Sequence, residues 1–334
     1  CRMSQQNDTA VKKPPLIVRF LKSWLPWKGD GFGEVIRKII FLIALIVFIG
    51  SAVYIGNYFL TRYESEKKIN EIDTIYHDTN IDPDQVANLP EGYGERWASL
   101  YSINNNIKGW ISIDDTNISF PVVQTSEEDP EHFLYRDFKD KYDTFGTPFL
   151  DARARLTLEE NSDNWVIYGH HMKGKKVFGQ LTNYEDLDFY KSHPIIQFDS
   201  VYKDMKWKIV SVFVTNTNPN HDNGNVFNYH DYINFENEEA FNDYIEKVKQ
   251  RSILDTGVDV AYGDQLMTLS TCTYEFDDAR FVVVARQVRD GEDPDAQVEN
   301  AVYNPNTLYP QIWYDKFPQY KKPASEADNS AVTE

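Results

Sequence analysis

The stretch TLSTCTYEFDDARFVVVAR, residues 268–286, sets Cys272 eight positions before Arg280, between two runs rich in β-branched residues. The only other cysteine is Cys1, ahead of a long apolar run, so Cys272 has no disulfide partner in the body of the chain. A leftover thiol in an oxidising compartment reads as a reactive group, half of an intermolecular bridge, or a buried small hydrophobe. If the two runs are antiparallel neighbours, thiol and guanidinium share one face near one sheet end. A fixed cation with several donors beside a nucleophile suits a developing oxyanion. A salt bridge from Arg280 to Asp277 or Asp278 is the competing role. A nucleophilic thiol also needs a proton partner. Among seven histidines, His170 and His171 stand out, because NWVIYGHH delivers them from an apolar strand through Gly169, expected as a turn residue. His77, His132, His193, His221 and His230 sit among charges, Asn or Pro, and a purely structural histidine is the alternative for His170 too.

These groups need a scaffold and a location. Between Lys38 and Arg62 lie 23 uncharged, mostly apolar residues. As a helix they span roughly 35 Å, enough to cross a hydrocarbon core of about 30 Å. Residues 1–38 carry eight Lys/Arg against three Asp/Glu, a net of +5. The basic flank precedes the span, so the N-terminus is expected in the cytoplasm and everything after Arg62 outside, as in a single-pass membrane protein. A cleaved signal peptide ending near Gly50 and Ala52 is the alternative, against which stands a run longer than the roughly 7–15 residues of a signal core. Met3 offers a start, leaving Cys1 outside the natural chain. The net charge of the whole is −18, so the body is strongly acidic and nucleic acid is excluded as a partner.

The pattern divides the chain into a basic segment 1–38, a transmembrane helix 39–61, a helical stalk or linker 62–94, a catalytic domain 95–290 and an acidic, Pro- and aromatic-containing tail 291–334. In the stalk, Ile69, Ile72, Ile75 and Tyr76 fall at helical spacing. A solvated stalk is the competing reading, and a further helix is expected over about 95–105. From Gly109 on, short β-branched and aromatic runs separated by Asp, Asn, Gly and Pro read as strands of a barrel or sandwich, a mainly β fold with helices. One helix interrupts them at NFENEEAFNDYIEKVKQRS, with Phe241, Tyr244, Ile245 and Val248 on one face, acids early and bases late. No internal repeat and no metal-ligand spacing such as CxxC or HExxH occurs, and no cofactor is expected.

The segments YGHHMKGKKVFGQL and LMTLSTCTYEFDDARFVVVAR closely resemble the histidine and cysteine segments of class B sortases, membrane-anchored cysteine transpeptidases of Gram-positive bacteria. NIKGWISIDDTNISFPVVQ and HFLYRDFKDKYDTFGTPFLD are similar to that class as well, so the resemblance covers about 95–290. It implies an eight-stranded β-barrel with N-terminal helices and a helix inserted before the cysteine strand, over Asn234–Ser252. Carried over by position, Cys272 is the nucleophile, His170 the general acid and base, and Arg280 the oxyanion and substrate clamp. Ser270 and Thr271 would line the groove, which strands and the 216–262 region would wall.

The partners it implies are secreted proteins with a C-terminal NPxTx-like sorting signal, cleaved after Thr, and a peptidoglycan precursor amine. A pilin-polymerising relative would use a lysine amine instead. A papain-like hydrolase would place cysteine before histidine with a CGSCW-type signature, which is absent. A non-catalytic wall-binding module is the remaining alternative. The chain also carries its own NPNT at 304–307, read as a Pro-fixed turn, with occlusion of the groove as the competing idea.

Overall fold

A computed structural model describes residues 15–323; Cys1, Met3 and the end of the tail after Pro323 lie outside the described residues. The described chain forms two compact units, one up to Glu64 and one from Ser65 on. The first holds helix α1, Leu16–Trp24, and most of helix α2, Phe32–Tyr76. Helix α2 contains the whole uncharged run and is long and apolar enough to cross a membrane. The helical reading of the segment after residue 61 is met by the last part of α2, up to Tyr76. Residues 62–76, RYESEKKINEIDTIY, hold neither Gly nor Pro, and Arg62, Glu64, Glu66, Lys67, Lys68 and Glu71 are good helix formers, so the helix runs on after its apolar stretch ends.

The second unit begins earlier than the border expected at 94/95, because residues 65–76 pack on the barrel instead of standing in solvent. Ile72 is buried in the main core. The Tyr76 ring stacks on Trp110 at 4.2 Å, and its hydroxyl donates to Asp199 at 2.5 Å. Ser65 Oγ donates to Asp143, and Lys68 Nζ pairs with Asp137 and Asp143 at 3.0 Å each. A 3-10 turn at Glu95–Trp97 and a helix at Ala98–Ile103 realise the expected second helix.

Eight strands close into a barrel: β1 Ile107–Ser112, β2 Ser119–Val123, β3 Phe149–Leu150, β4 Asn164–Tyr168, β5 Ile195–Ser200, β6 Asp204–Asn216, β7 Leu266–Cys272 and β8 Ala279–Gln287. Their order around the barrel is β1-β2-β3-β4-β7-β8-β6-β5. Only β2/β3 and β4/β7 pair in parallel. Strands β6, β7 and β8 are buried on both faces over most of their length. Met267, Leu269, Phe281 and Val283 fill the barrel core. Leu266, Val282, Val284 and Phe213 pack outward against Phe241, Tyr244 and Val248. Those last three belong to the inserted helix, Glu238–Arg251, capped by the Asn237 side chain accepting from Ala240 N. A strand buried on both sides reads as a continuous hydrophobic run, which is how RFVVVAR appears in the sequence.

The tail returns over the barrel. Arg286, wholly buried, pairs with Glu292 at 2.6 Å, and Lys208 reaches the same carboxylate at 3.1 Å. Further on, Trp313 is buried in the main core and stacks on Tyr309 at 4.2 Å. The NPNT segment forms a turn: Asn304 Nδ2 and Thr307 Oγ1 both donate to the Ser252 carbonyl at the end of the inserted helix. It does not line the groove that holds Cys272, so the occlusion idea falls.

Candidate active site

Cys272 ends β7, and Arg280 stands directly opposite it on β8. Directly opposed residues of an antiparallel pair project to the same face, so register alone brings thiol and guanidinium together. The connection is held in shape by its neighbours. Asp278 takes φ +61°, its carbonyl accepts from Thr217 N at 3.1 Å, and its carboxylate accepts from Asn218 Nδ2 at 3.1 Å. The anticipated rival role for Arg280 is not realised: among the described residues it forms no ion pair, and its Nη1 donates only to the Ala279 carbonyl at 3.0 Å. Its remaining donors are left for a ligand in the groove.

Strand β4 runs parallel to β7 with Tyr168 beside Ser270, and Gly169 N donates to the Ser270 carbonyl at 3.1 Å. The next residue, His170, therefore emerges beside Cys272. Gly169 acts through close approach and not through a left-handed turn. A Cβ there would sit 2.6 Å from the Phe178 ring, closer than side chains tolerate.

The two histidines divide the work. His170 Nε2 lies 2.7 Å from the Leu134 carbonyl, which can only accept. The ring proton is thereby placed on Nε2, leaving Nδ1 as the basic nitrogen. Burial pushes the imidazole below its ordinary pKa, opposed in part by the Leu134 bond. His171 turns away: its Nδ1 donates to the Cys272 carbonyl at 2.9 Å, and its ring packs on Tyr274. His170 lines the groove with Cys272 and Arg280, and His171 braces the strand beneath the thiol.

The groove has a volume of about 680 Å³. Ser270 and Thr271 both reach its lining. Alternation puts Ser270 on the Cys272 face of β7, where its hydroxyl is already engaged by Tyr229 at 2.6 Å; Thr271 falls on the other face. Of the 216–262 region only Thr217 and Tyr229–Asp231 reach the groove. The opposite walls were not among the groove residues expected from the sequence. One is the 127–135 loop with Glu127, Glu131, Leu134 and Tyr135. The other is a charged brace in which Arg153 donates to Asp151 at 2.8 Å and Asp231 at 3.1 Å, while Tyr168 donates to Asp151 at 2.8 Å. The DAR triplet at 151–153 was the available signal for that brace; a backbone acceptor such as Leu134 has none.

A closed eight-stranded barrel thus carries a thiol, an imidazole and a guanidinium in one groove. Residues 111–288 match the family model described as the sortase domain. The chain is 31% identical over 198 residues to sortase B of Staphylococcus aureus, covering 58% of this chain and 75% of that one. It is 28% identical over 253 residues to sortase B of Listeria monocytogenes, covering 75% and 96%. The solved S. aureus sortase B–substrate complex superposes with a TM-score of 0.57 at 27% identity, over 69% of this chain and 99% of that one. The chain belongs to the sortase family. Its relatives within that family are class B enzymes, and the activity that membership carries is cysteine transpeptidation.

Proposed function

We propose that the chain cleaves a C-terminal NPxTx-like sorting signal after Thr and transfers the released acyl group to a peptidoglycan amine. The observation that carries this reading is the arrangement of Cys272 opposite Arg280 with His170 delivered by the neighbouring strand into the same groove. A relative solved with substrate bound lends it support. The Cys272 sulfur attacks the threonine carbonyl, a C–S bond forms, and the oxygen takes the negative charge against Arg280. Protonated His170 gives its proton to the departing amine as the C–N bond breaks, leaving a thioester. An incoming amine attacks that thioester, His170 accepts its proton, and the thiolate leaves. Burial holds the His170 imidazole below its ordinary pKa, which disfavours the imidazolium that the first step needs. Slow turnover follows.

The apolar helix would anchor the enzyme, with the basic N-terminal side in the cytoplasm and the barrel outside. A lysine of a pilin subunit is the alternative acceptor. The test is product analysis with NPxTx and LPxTG peptides, with and without a peptidoglycan-type amine or a lysine-bearing pilin peptide. An amine-dependent ligation product formed faster from NPxTx supports the reading. Cleavage whose only product is the free acid, unchanged by either amine, overturns transfer in favour of hydrolysis.

A further inference from the structure

Helix α1 is amphipathic, and apart from the Trp24 edge its apolar side is left open among the described residues. Leu16, Ile17 and Phe20 are 83%, 73% and 60% exposed, and Leu21 and Trp24 are also open. At 100° per residue these side chains occupy one broad arc, and Arg19, Lys22 and Ser23 occupy the other. A short basic helix with Trp and Phe on its apolar side has the composition of a segment lying in a membrane interface.

The join to α2 fixes where it lies. Residues 25–31 separate the two helices, and α2 enters its apolar run only seven residues after its start. Lys38, at the head of that run, is nearly buried: its Nζ donates to the Lys22 carbonyl at 2.7 Å and to Asp30 at 2.8 Å. Asp30 also accepts from Trp27 N at 2.7 Å. Trp24 packs edge-on against Phe41 of the run, with centroids 4.6 Å apart. The elbow is thus built from interactions that hold α1 beside the first turns of the apolar run, at the depth where a lipid headgroup layer begins.

We propose that Leu16–Trp24 lies along the interface of the membrane that holds the span, apolar arc toward the acyl chains, with Arg19, Lys22 and Lys28 binding anionic phospholipid headgroups. This rests on the anchor reading above. Two observations select lipid over a protein partner: continuity with the span, and basic residues on a chain whose remaining body is acidic. The Lys38–Asp30 elbow makes α1 a stop that fixes how deeply the span sits.

The test uses the full chain in lipid nanodiscs. Trp27→Phe is compared with Trp24→Phe/Trp27→Phe, so that the difference in emission isolates Trp24. Lipids brominated near the headgroup end of their acyl chains should quench Trp24 about twofold or more in phosphatidylglycerol discs and less in phosphatidylcholine discs. Arg19→Glu/Lys22→Glu/Lys28→Glu should abolish that difference. Trp24 emission that stays water-like and unquenched overturns the proposal and leaves the anchor reading intact. Quenching that ignores both lipid charge and charge reversal overturns the headgroup assignment. A chain that elutes free of the discs refutes the anchor reading, and this inference with it.

Discussion

Arg280 stands opposite Cys272 with most of its donors unused, so its substitution should be felt in the chemical step. Arg280→Ala is expected to lower kcat about 10²–10³-fold, the usual loss when an oxyanion donor is removed, and Arg280→Lys to recover only part of it because a point charge replaces a fork. Peptide-cleavage kinetics on the two variants check both. His170 titrates low because it is buried. Its unfolded form binds a proton first as pH falls, so stability drops from about pH 6.5 downward to the folded value. His170→Asn should remove that part of the acid sensitivity along with activity, as melting curves between pH 5 and 8 would show. Glu185 shifts the other way: burial, then the nearby Glu275 charge, pushes it up to about 7, and its Oε1 has no hydrogen-bond partner among the described residues. A raised carboxyl contributes stability below its ordinary pKa that is lost as pH rises through 7. Glu185→Gln should therefore raise the melting temperature more at pH 8 than at pH 5; an equal shift at both would contradict the assignment.

Elements place these residues, and here the sequence was unevenly informative. All eight strand runs were legible, because β-branched and aromatic residues cluster between turn formers. The helix 238–251 announced itself by its apolar face and its charge asymmetry. The closing order, with β4 beside β7, was not legible, because non-local pairing leaves no mark in a local pattern. Nor was the hydrogen bond that orients His170, since Leu134 contributes a carbonyl and not a side chain. Gly146, at φ +62°, lies against that carbonyl: an added Cβ would sit 2.4 Å from the Leu134 oxygen. Gly146→Ala should cost more than about 1 kcal/mol in stability. It should also lower kcat more than it raises KM, because the displaced carbonyl frees the imidazole to turn. Denaturant titration and steady-state kinetics read the two effects separately.

At the scale of the whole molecule, the tail beyond the matched family domain is part of the folded body. Gln311 N donates to Asp222 at 2.9 Å and Lys316 Nζ to the Glu275 carbonyl at 2.5 Å, so the helix Gln311–Lys316 ties together the loops on either side of the Cys272–Arg280 pair. Trp313→Ala should destabilise by about 3 kcal/mol and loosen those loops, seen as faster alkylation of Cys272. The start of the tail is held by Glu292, whose carboxyl the bonds from Arg286 keep far below the usual range. A depressed carboxyl contributes stability above its ordinary pKa that is lost as pH falls. Glu292→Gln should therefore lower the melting temperature at pH 7, and by a smaller amount at pH 3.

The most direct measurement is intact-mass spectrometry of the unit from Ser65 onward, acid-quenched during reaction with an NPxTx peptide, beside Cys272→Ala. The account predicts an acyl adduct on Cys272 that forms without amine, disappears when a peptidoglycan-type amine is added as the ligated peptide appears, and is absent from the variant. Ligated product from Cys272→Ala, or product from the parent chain with no adduct at any time, would contradict a mechanism through the Cys272 thioester.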